Sequence, residues 1–163
     1  MSAGTKATLA YVGLGSNLGA SQDVLVHAIT TLAQTDGCTV LSQSSFWRSA
    51  PIDAQGPDYI NAVITLLTEL DPVDLLLKLQ SVETQFGRQR PYPNAPRTLD
   101  LDLLWMDGVT LQTPQLTLPH PRLHQRAFVV FPLAQVAPNL CIAGLGKIAD
   151  WQVQTQNQII TQL

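Results

Sequence analysis

The sequence contains few charged residues, which make up 13% of its 163 positions. Its 9 lysines and arginines are outnumbered by 12 aspartates and glutamates, so the formal net charge is −3 at pH 7. We therefore expect no nucleic-acid partner, because binding to a chain of phosphates requires a basic protein face. A small phosphorylated ligand is compatible with this composition, since it needs only a few well-placed arginines.

Cysteine is also scarce, and long apolar runs are absent. Cys38 and Cys141 are far apart in the sequence and lack the spacing of metal ligands. We expect two free thiols, which are typical of a protein in the reducing cytoplasm. No run of about 18 apolar residues is available to span a membrane, and residues 1–8 do not resemble a secretory signal. The expected location is therefore the cytoplasm, without a membrane partner.

The length and the hydrophobic fraction of 45% suit one domain with its own core. We predict a single domain over residues 1–163, with peripheral tails at 1–7 and at about 153–163. Apolar periodicity predicts strands at 9–14, 38–47, 59–70 and 99–105, and helices after residue 20, from 72 to 86 and near 127–136. This order of strands and helices predicts an α+β fold, in which helices pack on a sheet.

The glycines at positions 13, 15 and 19 lie close together at the end of the first predicted strand and just after it. Their spacing differs from the G-x-G-x-x-G pattern of dinucleotide-binding proteins. A tight turn between a strand and a helix is the simpler interpretation of this segment.

Asp100 and Asp102 are the most informative pair of residues. Side chains alternate along a strand, so both carboxylates lie on one face, with their Cα atoms about 7 Å apart. Two neighbouring carboxylates repel each other unless a cation lies between them, and Mg²⁺ takes one or two carboxylates together with water and phosphate oxygens. The alternative is an exposed strand edge with two solvated aspartates.

Other polar residues point toward a polyphosphate ligand. One arginine guanidinium can bind two phosphate oxygens through two parallel hydrogen bonds. Five arginines occur in the second half of the chain: Arg88, Arg90, Arg97, Arg122 and Arg126. Gln80 and Glu83 are one helical turn apart and face either the same cleft or solvent. His120 lies between two prolines, which restrict the direction of its imidazole. It is either a residue of the binding site or a structural histidine.

Taken together, these segments resemble the 6-hydroxymethyl-7,8-dihydropterin pyrophosphokinase family from about Leu9 to Asn139. The resemblance rests on six segments in the same order: residues 15–19, 46–51, 57–62, Gln80 with Glu83 and 87–88, 96–102, and 118–120 with Arg126 and Phe128. It implies a ferredoxin-like α+β fold with an antiparallel or mixed sheet. It also implies transfer of diphosphate from ATP to the hydroxymethyl group of the pterin in folate biosynthesis, with release of AMP.

The resemblance further implies a role for individual residues. Asp100 and Asp102 would hold two Mg²⁺ ions and, with Arg88 and Arg97, would be catalytic. The positions that match the ATP side are Gln80, Glu83, Arg90, Arg97, Leu103, Leu116, Thr117, His120 and Arg126. The positions that match the pterin side are Ser49, Ala50, Ile52, Tyr59, Asn61 and Phe128.

The sequence also departs from the family in its loops. Pro121 stands where a Tyr-like residue often follows the histidine, and Ser49-Ala50 stands where Thr-Pro is found. The loop over residues 88–97 is one residue shorter than in the family and lacks a tryptophan.

We expect this loop and residues 49–58 to close over the substrates. We also expect the protein to be a monomer. The alternatives are another Mg²⁺-dependent phosphotransferase acting on a heterocyclic alcohol, and a non-catalytic nucleotide-binding module of the same fold.

Overall fold

A computed structural model of the chain describes residues 6–17, 21–50, 56–87 and 99–163. These residues form four helices and ten strands. The elements in chain order are β1 (Thr8–Ser16), α1 (Ser21–Ala33), β2 (Cys38–Gln43), β3 (Trp47–Ser49), β4 (Tyr59–Thr68), α2 (Pro72–Gln85), β5 (Asp100–Met106), β6 (Leu111–Gln112), β7 (Thr117–Leu118), α3 (Ala127–Val136), β8 (Cys141–Ile142), β9 (Gly146–Lys147), α4 (Ile148–Gln154) and β10 (Ile160–Gln162).

Six of the strands form one sheet in which every described pairing is antiparallel. Its strand order is β10-β3-β4-β1-β5, and β2 also pairs with β4. The order β5-β1-β4-β2, with α1 and α2 as the connections, is the split βαβ arrangement of ferredoxin-like folds. The predicted α+β fold with helices packed on a sheet is therefore confirmed.

The long strands β1 and β4 form the centre of the sheet and bury both of its faces. Residues that are opposite each other in antiparallel strands place their side chains on the same face. Val12 and Ile64 are such a pair, and both are fully buried in the two strands that α1 contacts. On the other face, α3 packs against β3 and β4, where Phe131 contacts the ring of Trp47.

Helix α2 begins and ends where the sequence predicts. The carboxylate of Asp71 accepts a hydrogen bond of 2.8 Å from the backbone N–H of Asp74, and Pro72 occupies the first helical turn. Gly87 follows the helix with a φ of +77°, which favours glycine. Leu75 and Leu79 are fully buried and fasten the helix to the sheet.

Two segments of the main sheet differ from the sequence prediction. Residues 38–47 were expected to form one strand, but β2 and β3 are separate because Ser44 interrupts the ladder. The N–H of Ser44 bonds to the carbonyl of Val63, and its hydroxyl accepts from the N–H of Val63, both at 2.9 Å. A side chain thus takes the place of a ladder bond at this point.

The second difference concerns the end of the chain, for which we predicted a peripheral tail. Ile160–Gln162 instead form β10, the outermost strand of the sheet, which pairs with β3. The side chain of Gln162 donates to the hydroxyl of Ser45. The apolar pattern did not indicate this strand, since it lies at an edge and is mostly solvent-exposed.

No helix within residues 6–17, 21–50, 56–87 and 99–163 has the length and apolar character required to cross a membrane.

Removing the N-cap of α2 is expected to destabilise the fold without altering it. Asp71→Ala should lower the free energy of unfolding by about 1 kcal/mol, because the N–H of Asp74 loses its partner. That corresponds to a fall in melting temperature of roughly 2–4 °C in a domain of this size. Asp71→Ser keeps a capping oxygen and should melt within about 1 °C of the unchanged protein. Equal melting temperatures for the alanine and serine variants would contradict the cap.

Candidate active site

The central strands place the predicted polar residues on one face of the sheet. Gly15 of β1 is opposite Asn61 of β4 on one side and opposite Asp100 of β5 on the other. Gly13 is likewise opposite Asp102. Because paired residues share a face, the two aspartates and Asn61 lie on the same face, separated by glycines. Gly13 and Gly15 contribute no side chains of their own between the carboxylates and the amide, and we call this pair the glycine floor. The side chain of Leu104 lies 3.5 Å from the position that a Cβ of Gly13 would take.

The alternation predicted for β5 is confirmed near the two aspartates. Asp100 is half-buried and Asp102 is exposed, whereas Leu101 and Leu103 are buried on the opposite face. The register between β1 and β5 then shifts, because Val12 pairs with Leu103 and Tyr11 with Trp105. Leu104 is the extra residue of this β-bulge.

The bulge connects β5 to the segment that carries His120. The carbonyl of Leu104 accepts a hydrogen bond of 2.8 Å from the backbone N–H of His120. Bulges commonly redirect a strand beside a functional site. Here the bulge brings the imidazole within electrostatic reach of Asp102.

The surroundings of His120 favour its neutral form. Burial lowers the pKa of the imidazole, and the positive charges of Arg126 and Arg122 lower it further, against the opposing effect of Asp102. Nδ1 accepts a hydrogen bond of 3.1 Å from the backbone N–H of Arg122. The proton of the neutral ring is therefore on Nε2, which is available as a donor to an anionic ligand.

A second polar group lies across the glycine floor. The Nδ2 of Asn61 donates a hydrogen bond of 2.8 Å to the hydroxyl of Ser49, and both side chains are buried. A Cβ on Gly15 would lie 3.4 Å from the Oδ1 of Asn61 and 3.7 Å from the ring of Tyr59. These are ordinary van der Waals distances, so the amide and the ring line the space above Gly15.

Phe128, at the beginning of α3, is half-buried and adjoins Arg126. The guanidinium carbon of Arg126 lies 5.5 Å from the centre of the Phe128 ring, which is within cation–π range. Arg126 and Phe128 therefore lie together at the N-terminal end of α3.

Ala50, another residue predicted on the pterin side, follows β3 and is exposed.

Of the two polar residues predicted on α2, Gln80 is half-buried and Glu83 is only 4% exposed. The Oε2 of Glu83 accepts a hydrogen bond of 3.0 Å from the backbone N–H of Leu101. A solvated helix face is therefore the wrong interpretation for Glu83. Its carboxylate reaches β5 between the two aspartates.

The residues predicted near adenine lie on β5 and on the small sheet beside it. Leu103 and Leu116 are buried, and Thr117 is half-buried in β7, which contacts β5. Arg88, Arg90, Arg97 and Ile52 lie outside the described residues. The roles predicted for them, and the closure predicted for the two loops, stay predictions.

The donor atoms on this face fit Mg²⁺ better than a metal that requires many protein ligands. Over the described part of the chain, no group of three or more His, Cys, Asp or Glu side chains is placed to hold a metal ion. Asp100 and Asp102 supply two carboxylates, and Mg²⁺ completes its shell with water and phosphate oxygens.

The roles of Gly13, Gly15 and Leu104 escaped the sequence analysis. The glycines lie inside an apolar strand pattern, where glycine often marks a close approach of another group. That signal was present in the sequence. The bulge at Leu104 left no such signal, because its flanking residues are all apolar.

Loss of the Ser49 hydroxyl is expected to leave the Asn61 amide without its buried partner. Ser49→Ala should lower the free energy of unfolding by about 1–3 kcal/mol, which is the usual cost of an unsatisfied buried donor. Ser49→Thr retains the hydroxyl and serves as the control. Denaturant titration measures the difference, and equal losses in both variants would show that the hydrogen bond is not its source.

The sequence is similar to that of a known enzyme family. The sequence profile of the 7,8-dihydro-6-hydroxymethylpterin-pyrophosphokinase family matches residues 11–138. A 2-amino-4-hydroxy-6-hydroxymethyldihydropteridine pyrophosphokinase from Synechocystis sp. is 45% identical over 138 residues, which cover 85% of this chain and 71% of the relative. The enzyme of the same name from Haemophilus influenzae is 39% identical over 155 residues, with coverage of 94% and 89%.

The fold is also similar to solved structures of low sequence identity. The structure of Plasmodium falciparum HPPK-DHPS with pteroate superimposes with a TM-score of 0.76 at 12% identity. The match covers 94% of this chain but only 43% of that longer protein. At this identity the similarity is one of fold alone.

Proposed function

Because the chain belongs to the 7,8-dihydro-6-hydroxymethylpterin-pyrophosphokinase family, we infer that it transfers diphosphate from ATP to the hydroxymethyl group of dihydropterin in folate biosynthesis. In this transfer the hydroxymethyl oxygen of the pterin forms a bond to the β-phosphorus of ATP and loses its proton. The bond between the β-phosphorus and the α,β-bridging oxygen breaks, and that oxygen leaves with AMP. The products are AMP and the pterin diphosphate. The observation that carries this proposal is the placement of Asn61 and the two aspartates on one face, on opposite sides of Gly15.

We assign recognition of the pterin to the Asn61 side of the glycine floor. A flat heterocycle requires hydrogen-bonding groups at its edge and apolar or aromatic surfaces on its faces. The Asn61 amide is held by Ser49, so its Oδ1 is oriented before any substrate arrives. Tyr59 and Phe128 are half-buried rings suited to contact the faces of the pterin. Ala50 and Ile52 complete the proposed pterin set.

We assign the phosphates of ATP to the β5 side. His120 in its neutral form donates from Nε2, and Arg126 contributes a permanent positive charge beside it. Gln80 is half-buried on α2, which packs against β5. Leu103, Leu116 and Thr117 are the proposed contacts of the adenine. Arg88, Arg90 and Arg97, for which the family resemblance is the support, complete the proposed phosphate set.

Asp100 and Asp102 are the residues that would hold Mg²⁺. When bound, Mg²⁺ neutralises phosphate charge and supports in-line attack on the phosphorus. The contribution of the chain is to keep the two carboxylates on one strand face, opposite Gly13 and Gly15. We propose two ions, because two carboxylates and a polyphosphate together offer enough oxygen ligands.

We also propose that the protein is a cytoplasmic monomer. The support for the cytoplasm is the pair of free cysteines, of which Cys38 is buried and Cys141 exposed. Light scattering of the purified protein measures the mass in solution. A mass of about twice 17.7 kDa would contradict the monomer.

Identification of the nucleotide product tests the reaction itself. ATP, Mg²⁺ and 6-hydroxymethyl-7,8-dihydropterin should yield AMP in amounts equal to the pterin diphosphate. ADP as the product would indicate another phosphotransferase. Binding of ATP with no product would indicate a non-catalytic nucleotide-binding module.

The two aspartates are expected to be essential for turnover. Asp100→Asn and Asp102→Asn should each lower kcat by roughly a thousandfold, because the phosphate charge loses its counter-ions. Asp107→Asn removes the same charge from the turn just after β5 and is the matched control, expected to retain turnover within about threefold. Thermal unfolding should change little in all three variants. Normal turnover in either variant of the pair would disprove the metal assignment.

The Asn61 amide is expected to bind the pterin and not ATP. Asn61→Ala should weaken pterin binding by about 1–3 kcal/mol, since polar atoms of the bound heterocycle lose their partners. The affinity for a non-hydrolysable ATP analogue should be unchanged. Calorimetry with each ligand separates the two effects, and equal losses for both ligands would argue against a specific role in pterin recognition.

A further inference from the structure

The strand that carries the two aspartates is at the edge of the sheet. In the part of the sheet that the structure describes, β1 is the only strand paired with β5. Every second residue of an antiparallel edge strand directs its N–H and C=O away from its neighbour, where these groups lack ladder partners. An edge strand is therefore held less firmly than a central one, although this edge carries the residues that require fixed positions.

Leu101, between the two aspartates, is one of the residues that direct their backbone outward. Its N–H donates to the Oε2 of Glu83 at 3.0 Å. Glu83 is 4% exposed and Leu101 is 5% exposed, so water does not replace this bond easily. The carboxylate of an α2 residue thus occupies the place that a further strand would have taken.

A second bond holds the same strand on the far side of Asp102. The carbonyl of Leu104 accepts from the N–H of His120 at 2.8 Å. Neither bond involves another strand, and the two together bracket Asp102. The side chain of Leu101 is also packed in the core opposite Leu14. The backbone that carries the aspartates is therefore fixed from α2, from the His120 segment and from the core.

We propose that Glu83 is a positioning residue, which fixes the Asp100–Asp102 pair through the N–H of Leu101 rather than by binding ATP. This proposal rests on the proposed function of the two aspartates, and it replaces the ATP-side role that the family resemblance implies for Glu83. The acceptor oxygen is what matters for the role, because the bond to Leu101 requires an acceptor but not a negative charge. Groups that orient metal ligands from behind typically contribute 10–100-fold to metal affinity or activity.

Two substitutions of Glu83 separate positioning from a direct role. Glu83→Gln retains an acceptor oxygen and removes the charge, whereas Glu83→Leu removes both. Thr84→Ala is the control on the same helix, since Thr84 is exposed and its hydroxyl donates to the carbonyl of Gln80, its one described side-chain partner. For each protein, calorimetry measures the affinity for a non-hydrolysable ATP analogue, once with EDTA and once with Mg²⁺.

The amide of Leu101 provides a readout that needs no ligand. Hydrogen exchange at this amide, followed by NMR, should accelerate about tenfold or more in Glu83→Leu and stay within about threefold in Glu83→Gln. Mg²⁺ should raise the affinity for the nucleotide, and in Glu83→Leu this increase should be about 10–100-fold smaller than in the unchanged protein. The affinity of Glu83→Leu in EDTA should equal that of the unchanged protein. Glu83→Gln should keep that gain within about threefold.

Two results of the affinity measurements would overturn the proposal. One is a loss in Glu83→Gln as large as that in Glu83→Leu while the Leu101 amide stays protected, because the charge itself would then be required. The other is a loss of affinity in EDTA, because the carboxylate would then act on the nucleotide directly. If Glu83→Leu fails to fold, Glu83→Gln decides, with a protected amide and a retained Mg²⁺ effect expected.

Failure of the proposed function gives a different pattern from failure of this inference. An unchanged protein that binds the nucleotide equally with and without Mg²⁺ would contradict the metal role of the aspartates. The exchange rate of the Leu101 amide would still report whether Glu83 holds β5. Protection of that amide in Glu83→Leu would contradict the positioning role even if the unchanged protein produces AMP.

Discussion

The site depends on the register in which β1 pairs with its two neighbours. Gly15 is opposite Asn61 on one side and Asp100 on the other, so one residue of β1 sets the distance between an amide and a carboxylate. A shift of one residue in either pairing would move a whole set of side chains to the other face. The buried faces of β1 and β4 prevent that shift, because Val12 and Ile64 must stay in the core.

The same register explains why glycines occupy the middle of a central strand. Glycine weakens a strand, since it has no side chain to pack and loses more conformational freedom on folding. At position 15 it leaves room for the Asn61 amide and for Tyr59, which a Cβ would approach at 3.4 and 3.7 Å. At this position the Asn61 amide and the Tyr59 ring therefore lie next to bare backbone of β1.

The edge strand β5 shows how packing and electrostatics act together. Two of its outward backbone groups have partners, since the N–H of Leu101 donates to Glu83 and the carbonyl of Leu104 accepts from the N–H of His120. The second of these bonds also places the imidazole near Asp102, while burial and two arginines lower its pKa. A neutral histidine can donate to an anion without competing with the carboxylates as a cation, so the roles proposed for His120 and for the two aspartates are compatible.

The sequence by itself determined the features that depend on neighbours along the chain. Alternation placed Asp100 and Asp102 on one face, Asp71 and Pro72 marked the start of α2, and the ordered motifs identified the family. Only the tertiary structure decided what depends on partners distant in the chain. These include the break at Ser44, the pairing of β10, the position of Gly15 beside Asn61 and the burial of Glu83 against Leu101. The physical reason is that strand register and desolvation arise only when separate segments pack together, and local periodicity carries no record of that packing.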